Sequence, residues 1–256
     1  MSSNRSIRSL VAAAIGAGLV LLGGCASGEG NVSSSASTAS PAPSPSVTVR
    51  PPGAAELAAA LPQGESLPGY SVNGEPESRT GVGTPDRSVR PAACRALQDA
   101  RSGSSSTSVA EARVSISAST FAPPIETLTF TSHRPGGAAS YLAAVDKALD
   151  ACPSLSFLGR SGDRIRAEIE RVPDRVSAGD ASVSFEMHWA LDVDGLTMET
   201  FSLVTAVRSG EAIMTVTSDS SVGSRLSAAK KRALVPKLDQ ALLKREADAL
   251  RAAQDG

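Results

Sequence analysis

The sequence predicts an α+β domain: an antiparallel sheet of about five to six strands packed against helices and held by one disulfide. Three observations carry this. Several segments alternate apolar and polar residues with period two, one segment carries an apolar stripe of period 3.6, and two cysteines, Cys94 and Cys152, fall on predicted helices of the same domain.

In chain order, Ala54 to Leu61 reads as a short helix, and Pro91 to Arg101 as a second carrying Cys94, with Pro91 suited to its first turn. Gly103 to Ser108 is a loop. Val114, Ile116 and Ala118 then alternate with Ser115, Ser117 and Ser119, as in a half-buried strand. Pro123 and Pro124 interrupt, and Leu128 and Phe130 alternate with Thr127, Thr129 and Thr131 in the next strand. After Pro135-Gly136-Gly137, the residues Ala138, Tyr141, Leu142, Val145, Leu149 and Cys152 share one helical stripe, which faces a core and brings Cys152 to it. Four strands follow: one around Ile165, Ala167 and Ile169; the cleanest of the chain over Val183, Phe185, Met187, Trp189 and Leu191; one near Glu199 to Arg208; and one over Glu211 to Thr217. Short connections imply antiparallel pairing. Ser227 to about Ala253 closes the chain as a long helical segment, interrupted at Pro236, with Leu234, Leu238, Leu242 and Leu250 near one face.

The first 24 residues have a different character. Arg5 and Arg8 precede an uncharged stretch, Leu10 to Leu22, too short to span a hydrocarbon core of about 30 Å as a helix. Leu22-Gly23-Gly24-Cys25 follows and resembles a bacterial lipobox, so residues 1–24 are expected to be a lipoprotein signal peptide and Cys25 the lipidated residue. Residues 25–52, rich in Ser, Pro, Ala and Thr, cannot bury a core and read as a disordered tether of roughly 30 Å mean span. Residues 53–256 are long enough for one domain. The expected address is the outer face of the cell membrane. With Cys25 assigned to lipid, Cys94 and Cys152 form an even pair in an oxidising compartment and are expected to pair with each other.

Composition excludes some partners. Without residues 1–24 the chain has 23 basic and 26 acidic residues, a net charge of −3, and the whole chain holds only eight aromatics. Stacking platforms and phosphate-tracking stripes are missing, so no nucleic acid is expected. Arginine outnumbers lysine 20 to 5, which fits a GC-rich, actinobacterial genome.

Catalytic patterns fail in turn. Ser227-Ala228-Ala229-Lys230 matches S-x-x-K, but no K-T-G follows, and a serine that caps a helix explains it better. Asp192-x-Asp194-Gly195 opens like a calcium loop, yet further ligands do not arrive and a hairpin turn is preferred. Gly64-Glu65-Ser66-Leu67-Pro68 lacks the closing glycine of a nucleophile elbow. His133 and His188 lack ligand spacing to either cysteine, so no metal, cofactor or enzymatic activity is expected. Lys230-Lys231-Arg232, with Lys237, Lys244 and Arg245 beyond, reads as a solvated helix face. Glu186 and His188 share the polar face of a strand, where they could bind a ligand.

From Ala93 onward the chain resembles the PknH-like extracellular sensor domain of actinobacterial kinases and envelope lipoproteins. The resemblance rests on Ala93-Cys94-Arg95-Ala96-Leu97, on Tyr141 through Cys152, on Ala178-Gly179-Asp180-Ala181, on Val207-Arg208-Ser209-Gly210 and on the closing helix. It implies an α+β domain with a central antiparallel sheet and a ligand cleft, and no enzymatic activity. The chain lacks a kinase domain and a second cysteine pair, so any sensing would pass through an envelope protein partner.

The expected function is a non-catalytic, membrane-tethered module of the cell envelope that binds an extracellular small-molecule, lipid or cell-wall ligand. The expected site is a sheet face carrying Ser115, Ser117, Thr129, Arg166, Glu168, Ser184, Glu186 and His188, with Arg166, Glu168, Glu186 and His188 as the binding candidates. A lipid or glycolipid carrier is the alternative and requires an apolar cavity of several hundred Å³. A cell-wall hydrolase ranks behind both.

Overall fold

A computed structural model describes residues 50–255, apart from 65, 66, 82, 119–123, 160, 174, 175, 194 and 224. Cys25, the signal peptide and nearly all of the tether lie outside the described residues, as does part of the Gly64–Pro68 motif.

Eight strands form one antiparallel sheet: β1 (Ser71–Thr80), β2 (Ser108–Ser117), β3 (Ile125–His133), β4 (Ser154–Leu158), β5 (Arg164–Arg171), β6 (Ala181–Val193), β7 (Leu196–Ser209) and β8 (Ala212–Gly223), in the order β1-β2-β3-β8-β7-β6-β5-β4. The helices are α1 (Ala54–Ala60), α2 (Arg95–Arg101, entered through a 3-10 turn at Ala92–Cys94), α3 (Gly137–Ala151), α4 (Ala228–Leu234) and α5 (Gln240–Asp255).

The expected five to six strands are therefore eight. The two unforeseen strands have physical reasons to be illegible. β1 reads SVNGEPESRT and has no apolar alternation; Gly74, at φ +88°, and Pro76 sit in an irregularity of its pairing with β2 between Asn73 and Glu77. Proline, glycine and charge are tolerated there because β1 is an edge with one partner. β4, at the other edge, is only five residues long and follows Cys152-Pro153 directly. Its outer side is closed by two backbone hydrogen bonds of 2.8 Å between Arg90 and Ser156.

Each face of the sheet has its own core. On the first, α2 and α3 cover Phe185, Met187, Trp189, Val204, Ala206 and Ile213, and the stripe Ala138, Tyr141, Leu142, Val145, Ala148 is buried against them. The Cys94–Cys152 disulfide joins α2's entry to α3's end inside this core, with both residues almost fully buried. On the second face, α1 and α5 cover Ala112, Val114, Ile116, Leu128, Phe130 and Met214 with Leu57, Leu242, Leu243 and Leu250. Burying a large apolar side chain contributes about 1.5–3 kcal/mol, so these two clusters dominate the stability of the fold.

The closing helical segment is two helices. Pro236 cannot continue an α-helix, and residues 235–239 cross between α4 and α5 in non-helical form. Asp239 restarts the helix: its Oδ1 accepts the backbone N–H groups of Ala241 and Leu242 at 2.9 and 3.0 Å.

Candidate functional site

Direct cross-strand partners share a face, so the register fixes where each expected site residue lies. One row runs Glu170–Glu186–Leu203–Ser218–Glu126 across β5, β6, β7, β8 and β3; the adjacent row runs Ser154–Glu168–His188–Phe201–Ser220 across β4 to β8. Both belong to the second face. Helix α5 packs over β7 and β8 of that face, and on β5 and β6 the side chains of Glu168, Glu170, Glu186 and His188 remain exposed or half-buried.

There the sheet and the end of α4 enclose a depression of about 540 Å³. Arg166, Glu168, Glu186 and His188 all line it, together with Glu170, Phe201 and Val235. The structure thus brings the four candidate residues to one place. It does not do so for the whole expected face. Ser115, Ser117 and Thr129 pair, through Thr127, Ile125 and Thr215 respectively, with the rows that contain Phe185, Met187 and Val183, and so stand on the opposite side of the sheet. Ser117 and Thr129 are buried there, and Ser115 lines a separate concavity with Asn73, Glu77 and Arg113. Ser184 is on the correct face but buried, its hydroxyl 3.1 Å from that of Thr205. The error is one of parity: alternation within a strand says which residues share a side, not which side each strand turns to the helices.

The chemistry of the depression is mixed. The His188 and Phe201 rings stack with centroids 4.6 Å apart and planes at 12°. Arg166 Nη2 donates to Ser154 Oγ at 3.1 Å. Glu170 and Glu186 are directly opposed like charges; burial, and then Glu170, push the Glu186 carboxyl above its ordinary range. Two further residues lie beside it: Glu199, which sequence reasoning did not single out, and Lys231, which it read as part of a solvated helix face and which is instead paired and mostly buried. Glu199 accepts a hydrogen bond from Lys231 Nζ of α4, which holds the Glu199 carboxyl below its usual value. Glu199 Oε2 also lies 3.7 Å from His188 Nε2, within ion-pairing reach but too long for a hydrogen bond. Glu199 and Phe201 share the parity of one strand face, which is a usable signal; nothing in the sequence brings Lys231 or Val235 to them.

The other patterns have structural roles. Ser227 Oγ accepts the backbone N–H of Lys230 at the start of α4, which is the capping role expected of it. Asp192 accepts from Thr197 Oγ1 at 2.7 Å across the β6–β7 hairpin; Asp194 lies outside the described residues. A cavity walled by Leu203, Val216, Leu242 and Leu243 amounts to about 10 Å³, the volume of one water and far below the need of an acyl chain. Among the described residues no helix is long and apolar enough to cross a membrane.

No protein-family model and no curated protein matches the sequence. Among solved structures, the extracellular domain of PknH from Mycobacterium tuberculosis superposes with a TM-score of 0.50 at 9% identity, covering 81% of this chain and 98% of that one. An uncharacterized Mycobacterium smegmatis protein, the Rv0999 ortholog, covers 78% of this chain and 92% of its own at 16% identity and a TM-score of 0.32. LpqN of Mycobacterium tuberculosis, involved in cell envelope biogenesis, covers 69% and 87% at 12% identity and a TM-score of 0.23. The chain shares the fold of the PknH extracellular domain, and at this identity the likeness speaks for the fold alone.

Proposed function

We propose that the chain is a non-catalytic, lipid-anchored module of the cell envelope that binds a polar extracellular ligand in the depression over β5, β6 and β7. The observation that carries this reading is the convergence of Arg166, Glu168, Glu186 and His188, with a stacked aromatic pair, on one open concavity of about 540 Å³. A volume of this size suits a small molecule. Mixed charge and ring surface suit a ligand with hydrogen-bonding groups on an otherwise compact frame. The PknH-like fold and the lipobox at Cys25 support the envelope address, and signalling would pass through a membrane or envelope partner.

Native mass spectrometry tests this on the full chain carrying Cys25→Ala, purified from its own host. A polar adduct that disappears in Glu186→Gln and His188→Ala is the expected result. An acyl-chain adduct indifferent to both substitutions would establish the lipid-carrier reading instead.

A further inference from the structure

Among the described residues five buried polar atoms on the strands of the second face lack a hydrogen-bond partner; Ser132 Oγ and Ser209 Oγ lie at the far end of the sheet face, and the other three, Glu126 Oε2, Ser220 Oγ and His188 Nε2, lie in the two rows that reach the depression. Glu126 is 5% exposed and Ser220 1%. Buried polar groups are nearly always paired, so three orphans within two adjacent rows of one face call for an explanation. They are also contiguous with the depression. Ser220 pairs across the sheet with Phe201, and Phe201 with His188. Glu126 pairs with Ser218 and Ser218 with Leu203, which pairs with Glu186.

What separates the depression from Glu126 is the segment 235–239 between α4 and α5. Val235 lines the depression, while Lys237, Leu238 and Asp239 line the small cavity that Glu126 faces. This strap is held at its two ends, by Lys231 on Glu199 before it and by Tyr70 donating to Asp239 Oδ2 at 2.8 Å after it. Among the described residues no backbone hydrogen bond ties 235–238 to the sheet, and α4 buries no side chain. Apart from its end contacts the strap is held by apolar packing, with Pro236 buried and Leu238 against the second core.

Resting on the binding role proposed above, we infer that the strap, under which there is now room for about one water beside Glu126, lifts to open a groove from the His188–Phe201 pair to Glu126, and that the ligand is a linear, polyhydroxylated chain of saccharide type. The three orphans set the chemistry. A carboxylate oxygen accepts only, a serine hydroxyl donates and accepts, and an imidazole nitrogen does one or the other. A hydroxyl group answers all three. The stacked rings offer a flat apolar surface to one face of a sugar, and Arg166 and Glu168 offer a donor and an acceptor at the open end. From β6 to β3 the groove spans three strand spacings, about 14 Å, so it takes more than one sugar unit.

Calorimetric titration of the full chain carrying Cys25→Ala tests this with two linear trisaccharides, maltotriose and triacetylchitotriose, against their monosaccharides. The expected result is that at least one trisaccharide binds about tenfold more tightly than its monosaccharide. Glu126→Leu and Ser220→Ala each weaken the trisaccharide by about fivefold to tenfold, the value of a hydrogen bond, and leave the monosaccharide unchanged. Lys231→Ala, which releases the strap, strengthens trisaccharide binding. Thermal melts confirm that each variant folds. Equal binding of both sizes with no effect of Glu126→Leu or Ser220→Ala overturns the inference, leaving the orphans to ordered water and the depression as the whole site. If no saccharide binds while a host-derived adduct still depends on Glu186 and His188, the saccharide assignment is overturned and the site stands.

Discussion

His133 offers a quantitative test of the core. It is fully buried on β3, with Thr107 Oγ1 3.1 Å from its Nδ1, Thr131 Oγ1 3.1 Å from its Nε2, and the Tyr141 ring beside it at 5.5 Å. Burial disfavours the imidazolium and lowers its pKa from 6.5 to about 4. A depressed histidine pKa means that the unfolded chain takes up the proton first. Its contribution is therefore fully present above pH 6.5 and is lost as pH falls toward 4. Linkage between these two values removes about 2.4 kcal/mol of stability between pH 7 and pH 4.5. Asp99 works against it: buried on α2, its carboxyl is raised from 3.8 to about 6 by desolvation, so the folded state gains about 2 kcal/mol over the same interval. The two nearly cancel, and the raw pH profile of the protein would conceal both. The His133→Gln variant separates them. In urea titrations followed by circular dichroism, the stability difference between the protein and the variant should shrink by about 2.4 kcal/mol from pH 7 to pH 4.5. A difference constant to within about 0.5 kcal/mol, or an NMR titration of His133 centred near 6.5, would refute the reasoning.

Three further outcomes follow from the same structure. Replacing Cys94 and Cys152 together by alanine should cost about 4 kcal/mol of unfolding free energy in the chain-entropy model, measured in urea, since the bridge closes a loop spanning 58 positions of sequence. Gly103→Ala should lower stability by about 2 kcal/mol, because Gly103 has φ +64° and an added Cβ would lie 2.5 Å from Thr129 Oγ1; Gly103→Ser should do no better, and thermal melts decide. Cys25→Ala should move the protein from the membrane fraction to the medium as a folded, disulfide-bonded species, which fractionation and a non-reducing gel would show.

Much of this architecture was legible because single-residue patterns are strong where burial is one-sided. The alternation from Val183 to Leu191 marks β6, and the stripe from Ala138 through Val145 marks α3, since each has one face on a core and one in water. Edges are different. β1 is mostly exposed and reads like a loop, and β4 is too short to show a period. The site was half legible for a related reason. Arg166, Glu168, Glu186 and His188 come together because they occupy polar positions of neighbouring strands, whereas Ser115 and Thr129 satisfy the same rule on the opposite side. Only the register, through pairs such as Thr129 with Thr215 and Ser184 with Thr205, decides between the sides. Val235 reaches the depression, and Lys231 reaches Glu199 beside it, from a helix far along the chain, by a path that follows from the break at Pro236 and not from any local pattern.

The disulfide and the depression lie on opposite sides of the sheet, one inside the α2–α3 layer and the other over β5, β6 and β7. The sheet acts as a partition between a covalently reinforced half and a half assembled by packing and ion pairs alone. Reduction of the disulfide would thus act first on how long the molecule survives, and movement of the 235–239 segment over the depression would not load the cross-link. The cross-link and the candidate site are kept in separate compartments of one small domain.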